Sequence, residues 1–300
     1  MALTALERGR GRAAVDTYAG WIDGVDLLLG PYASGLVRAV APLVRDAGQI
    51  LWNHGGSADD LAQPGTASLP APASTYFEGI VDEAIERKVR RLILVQGPGP
   101  FARYVANGAK ARGTERGIDS QTVDASAVEI EDLEETALLV AGPFEHDVAV
   151  VRGVRDRGQS PTLLGAVAAG IPEFGQELGE AADGVLAPVQ WLPSSQTPTV
   201  GPSGTDFVTH YQHRTGHEPS YPAAQAAAAG YLAHAALRQD LGFNDLPQWT
   251  TSTFFGDFTL DPTWRQIGHH VTTIRWQSGH MVPISFEDGN RSPLPAPLDP

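Results

Sequence analysis

Three apolar runs in this 300-residue chain end in the same way. "LLLGPYAS" (27–34), "LILVQGPGPFA" (92–102) and "LLVAGPFEHD" (138–147) each pass from strand-like residues through Gly-Pro to an aromatic, then into a helical pattern. In open parallel sheets, ligands bind beyond the carboxyl ends of the strands. The pattern therefore delivers Tyr32, Phe101 and Phe144 to the level where ligands sit. At any one site, Gly-Pro could simply break the strand while the aromatic caps the core. The threefold recurrence favours a pocket lining.

Four further stretches carry residue types that do chemistry. Ser34 lies between a strand end and a helix start. As an N-cap, its hydroxyl would satisfy orphan amides. As a ligand contact, the same hydroxyl and the following amides would hold a carboxylate, aided by the helix dipole. The two roles are compatible. "NHGGS" (53–57) resembles an esterase oxyanion segment, but the chain has no G-x-S-x-G nucleophile elbow to accompany it. Gly55 and Gly56 could still offer amides to an anion or carbonyl, or form a tight turn needing positive φ. "GPGPFA" (97–102) fits a dinucleotide pattern, yet Pro98 and Pro100 have no N–H for a pyrophosphate. Pro100 fits better as the first residue of a helix. "HYQHRTGH" (210–217) gathers His210, His213 and His217. No fixed carboxylate except Glu218 would complete a metal set, so the segment reads as an exposed helix end, and "GHH" (268–270) reads alike.

The elements that must position these residues alternate. Strand-length apolar runs occupy 25–30, 49–53, 91–96, 137–142, 162–166 and 184–189. Helical patterns occupy 35–47, 74–88, 101–112, 145–157, 203–214 and 220–240. Such alternation means βαβ units and parallel sheets with right-handed crossovers. Beyond residue 252 the pattern turns to β structure at 254–261, 270–279 and 280–286, followed by a Pro- and Gly-rich tail.

Composition narrows the function. With 42% hydrophobic and 19% charged residues, the chain is ordinary for a soluble globular protein of one or two domains. A net charge of −14 argues against nucleic acid and anionic membrane as partners. The absence of cysteine excludes disulfides, thiolate metal sites and a Cys nucleophile. The N-terminal "MALTALERGRGRAAVDTYAGW" has no apolar core followed by a cleavage site, so it does not read as a signal peptide. No metal, cofactor or catalytic group is expected.

In order along the chain, "DGVDLLLGPYASG", "ILWNHGGSADD", "YPAAQAAAAGYLAHAAL" and "TSTFFGDFTLDPTWRQIGHHVTTIRWQSGHMVPIS" resemble type I periplasmic binding proteins. The nearest branch is that of the branched-chain amino acid and amide receptors of ABC transporters. The resemblance implies two doubly wound α/β lobes, with a small polar ligand (amino acid, amide or small carboxylate) clamped between them and no catalysis. Lobe one would be 1–96 plus 221–253, and lobe two 97–220 plus 254–300, with crossings near 96, 220 and Phe255-Gly256. It implies that Ser34 holds a ligand carboxylate, that His54, Gly55 and Gly56 give backbone contacts, and that Phe101 and Phe144 line the site with Tyr32 and Tyr221. Relatives place an acid for the ligand ammonium where this chain has Val167. That departure puts α-amino acids in doubt, although Glu145 could substitute.

Relatives also begin with a strand, a helix and a second strand that this sequence does not show, which would leave strand 25–29 with an open edge able to pair a homodimer. The partners implied are a small-molecule ligand and ABC transporter membrane subunits. The location implied is extracytoplasmic. A cytoplasmic ligand sensor on the same fold is the alternative, motivated by the unseen export signal.

Overall fold

The computed structural model describes residues 2–124 and 133–284. The chain divides into two units. The first is Met1–Pro72 with Gln190–His270, and the second is Ala73–Val189 with Val271–Pro300.

In the first unit, α1 (Ala2–Trp21) packs on α2 (Ser34–Asp46). A three-stranded parallel sheet has the order β1 (Leu28–Leu29), β2 (Leu51–Asn53), β3 (Thr66–Ser68). Leu51 and Trp52 of β2 and Ala67 of β3 are buried. Packed against this sheet is α8 (Tyr221–Arg238), whose buried residues are mostly alanine: Ala224, Ala228, Ala229, Ala233 and Ala236, with Leu232 and Gln225. Small side chains let the helix axis approach the strands closely. The volume is filled by large partners, including Phe207 from α7 (Gly204–Thr215), Trp52, Phe254 and Phe258. A hairpin of β9 (Thr251–Thr253) and β10 (Gly256–Phe258) completes the unit. Buried Gln266 ties the following loop down, its Nε2 donating to the Leu69 carbonyl at 3.3 Å and its Oε1 accepting from Gly268 N at 2.9 Å.

The predicted strand at 25–30 is reduced to two residues. It pairs only with β2 among the described strands, and the carbonyl of Leu29 accepts from the Tyr18 hydroxyl. The open edge expected there is therefore short, with one acceptor already taken.

The second unit holds a seven-stranded sheet: β12 (His280–Pro283), β11 (Thr272–Gln277), β8 (Leu186–Val189), β7 (Leu163–Ala166), β6 (Thr136–Ala141), β4 (Arg91–Gln96), β5 (Asp119–Val123). From β8 to β5 every pairing is parallel, and β11 and β12 add antiparallel at one side. The central strands β4, β6 and β7 are apolar and buried, as strands covered on both faces must be. Covering them are α3 (Glu78–Glu86), α4 (Pro100–Glu115), α5 (Phe144–Asp156) and α6 (Pro172–Leu178). Numbered within the unit, the five parallel strands run 2-1-3-4-5, a doubly wound order whose winding reverses between β4 and β6.

The alternation read from the sequence is present, but the division between units falls elsewhere. β4 pairs along its whole length with β6, so residues 73–96 belong to the second unit and the first crossing lies at 72/73, not 96. Residues 190–220 carry Phe207 into the first core, and 254–270 carry Phe254 and Phe258 there. The other crossings are therefore at 189/190 and 270/271, rather than 220 and 255/256. The tail from 287 and the last residues of the predicted strand 280–286 lie outside the described residues.

Candidate functional site

In the first unit the strand ends are organised by the side chain that opens the "NHGGS" stretch, to which the sequence reading gave no role. Asn53, fully buried, ends β2. Its Oδ1 accepts from the amides of Gly55 (3.1 Å) and Gly56 (2.8 Å). Its Nδ2 donates to the Gly56 carbonyl (2.6 Å) and to Ser68 Oγ of β3 (2.9 Å). The amides expected to face a ligand anion are thus engaged within the turn. The glycines are not required for positive φ either. They are required for close approach: a Cβ on Gly55 would lie 2.5 Å from Tyr32 Cα and 3.0 Å from the Pro31 carbonyl oxygen. The next loop joins in through Ala33, whose amide donates to the Gly55 carbonyl at 3.0 Å.

That contact holds Ala33 at φ 90°, ψ 135°, a strained conformation for a residue with a Cβ. Ala33, not Ser34, is the N-cap of α2. Ser34 opens the helix, and its Oγ accepts from Ala58 N at 3.2 Å. Tyr32 is exposed, and its hydroxyl lies 2.7 Å from that of Tyr221, the first residue of α8. Tyr32, Ser34, Gly55, Gly56 and Tyr221 therefore gather at the carboxyl ends of β1 and β2. His54 joins them, half-buried. Burial lowers the pKa of its ring below the usual histidine value, and the Gly30 backbone partly opposes the shift.

In the second unit Phe101 and Phe144 are half-buried, in the first turns of α4 and α5. Phe101 packs on the core and meets Tyr76 edge-on at 5.4 Å. Val167, half-buried, follows β7, and its amide donates to the Val140 carbonyl at 3.0 Å. Glu145 is exposed in the first turn of α5. The acid that does reach the end of β7 is Asp147, fully buried, whose Oδ2 accepts from Ala168 N at 3.0 Å. Its Oδ1 lies 3.1 Å from Nδ1 of His146. Burial pushes the Asp147 carboxyl up to about 6, against the pull of the His146 and Ala168 hydrogen bonds. A signal for it exists in the sequence, an acid i+3 from the aromatic that opens α5.

The other motifs resolve plainly. Pro100 is the first residue of α4, and the Gly97 amide is bonded to the Ala141 carbonyl at 2.8 Å, so the "GPGPFA" loop is not a free cradle of amides. His210, His213 and His217 are exposed around the end of α7, as expected. His269 is not exposed. It is buried against Phe255 at 4.8 Å, with Nε2 unpartnered. Burial holds its pKa down to about 4. Among the described residues no helix is long and apolar enough to cross a membrane.

A family profile described as "periplasmic binding protein" matches residues 9–279. The chain belongs to that family. Solved structures share its fold. A leucine binding protein, LivK, from Thermotoga maritima superposes with a TM-score of 0.75 at 17% identity, covering 92% of this chain and 84% of the other. The leucine-, isoleucine-, valine-, threonine- and alanine-binding protein of Brucella ovis gives 0.74 at 14%, covering 92% and 81%. An ABC transporter solute binding protein from Rhodopseudomonas palustris, in complex with 3,4-dihydroxybenzoic acid, gives 0.70 at 15%, covering 93% and 82%. No curated protein matches the sequence. This periplasmic binding protein thus carries polar and aromatic groups at the strand ends of both its units.

Proposed function

We propose that the chain is the extracytoplasmic solute-binding receptor of an ABC importer and binds a small polar ligand without transforming it. The observation that carries this reading is the family match over 9–279. Tyr32, Ser34 and Tyr221 in the first unit, and Phe101 and Phe144 in the second, stand at the parallel-strand ends where ligands of such sheets bind.

The ligand we favour is a small carboxylate or amide rather than an α-amino acid. An ammonium group needs an accessible carboxylate. Val167 provides none, and Asp147 is sealed and already bonded, so an α-amino acid would have to be held by Glu145, exposed in the first turn of α5 and not at the end of β7. One related structure contains 3,4-dihydroxybenzoic acid, while the other two are named for leucine and for leucine, isoleucine, valine, threonine and alanine.

Thermal unfolding in the presence of leucine, 3,4-dihydroxybenzoate, benzoate and benzamide tests the proposal. Ligand at 100 times Kd stabilises by about 2.7 kcal/mol, a shift that is easy to read. A folded chain whose unfolding is moved by none of the four overturns the reading. A shift by leucine alone overturns the preference for a carboxylate or amide.

A further inference from the structure

In a doubly wound sheet the crevice outside the carboxyl ends lies where the winding reverses. In the second unit that place is between β4 and β6. His146 occupies it. The residues that follow the two strands, Gly97 and Gly142, leave room for its ring: a Cβ on Gly97 would lie 3.0 Å from Nδ1, and one on Gly142 would overlap the ring. The His146 side chain is 16% exposed.

The ring is oriented from behind. Asp147 is fully buried, with Oδ2 fixed by the Ala168 amide and Oδ1 3.1 Å from Nδ1. An ionised carboxylate only accepts, so Nδ1 carries the ring proton. Nε2 then presents a lone pair. It makes no hydrogen bond to a described residue and is not among the buried unpartnered atoms.

We propose that Nε2 of His146 is the acceptor through which the second unit reads a hydroxyl or amide N–H of its ligand, and that Asp147 is the residue positioning it. The proposal rests on the receptor reading and narrows its ligand to small carboxylates or amides that carry such a donor.

The test has two arms on the full chain. In the first, ¹⁵N NMR of the histidine rings at pH 7.5 reads the tautomer without any ligand. The expected result is Nδ1–H at His146. In Asp147→Asn the amide oxygen takes the Ala168 N–H and the amide nitrogen donates to Nδ1, so the ring proton should move to Nε2. A wild-type ring protonated at Nε2 overturns the proposal. In the second, calorimetry compares 4-hydroxybenzoate with benzoate. Wild type should prefer the hydroxyl compound by about ten- to a hundredfold, and both Asp147→Asn and His146→Phe should lose that preference while still binding benzoate. An unchanged preference in His146→Phe overturns the proposal. If other probes bind but wild type shows no preference for the hydroxyl, the receptor reading stands and this one falls. If nothing binds, both fall.

Discussion

Asn53 shows how one amide can do the work of a loop. Every hydrogen-bonding atom of its side chain is used, in a place with no access to water. Asn53→Ala strands two amides, a carbonyl and a hydroxyl, and should destabilise the first unit by about 3 kcal/mol in urea unfolding. Gly55→Ala acts on the same corner by a different route, because the new methyl runs into the Tyr32 and Pro31 backbone as well as the Tyr32 ring. It should cost about 1–3 kcal/mol and displace Tyr32, visible as loss of the Tyr32–Tyr221 contact in a crystal structure of the variant. Ala33 is the opposite case. Its φ of 90° suits glycine, so Ala33→Gly should stabilise the fold by about 1 kcal/mol. A lower unfolding midpoint in that variant would show that the turn is not strained.

Elements that announce themselves by apolar runs are legible in the sequence, and those held by their neighbours are not. β4, β6 and β7 lie within a residue of the stretches 91–96, 137–142 and 162–166, because strands buried on both faces must be continuously apolar. β3 is only "TAS" and β5 is "DSQTV", polar and largely exposed at the sheet edge. Pairing with β2 and β4 creates them, and no local pattern marks that. At the site, the position of Tyr32, Ser34 and Tyr221 follows from strand ends and the family resemblance. The occupied amides of Gly55 and Gly56 do not, because Asn53 reads as the polar end of a strand until its partners are known. His269 misleads for a similar reason. A histidine in a polar stretch looks solvated, but it is the ring that fills the space beside Gly256 and Phe255.

At the scale of the whole molecule the two units should answer acid in opposite directions. His269 in the first has its pKa lowered to about 4 from an ordinary 6.5. The unfolded chain takes up a proton that the folded one refuses, so stability is lost as pH falls from 6.5 towards 4, by on the order of 3 kcal/mol. Asp147 in the second has its pKa raised from 3.8 to about 6. There the folded form takes the proton first, and stability is gained as pH falls from about 6 towards 3.8, by about 2 kcal/mol. Calorimetric melts at pH 7 and pH 4.5 should show the transition of the first unit moving down and that of the second moving up, and His269→Gln should flatten the response of the first. The interleaving of the chain also sets an order of events during synthesis. The first unit joins residues 1–72 to residues 190–270, so its core cannot close until Phe254 and Phe258 have left the ribosome. The segment 73–189, which holds all five parallel strands of the second unit, emerges whole before that. Residues 1–72 are therefore completed after the neighbouring unit has begun to fold, and until then β2 and β3 wait with their apolar face uncovered.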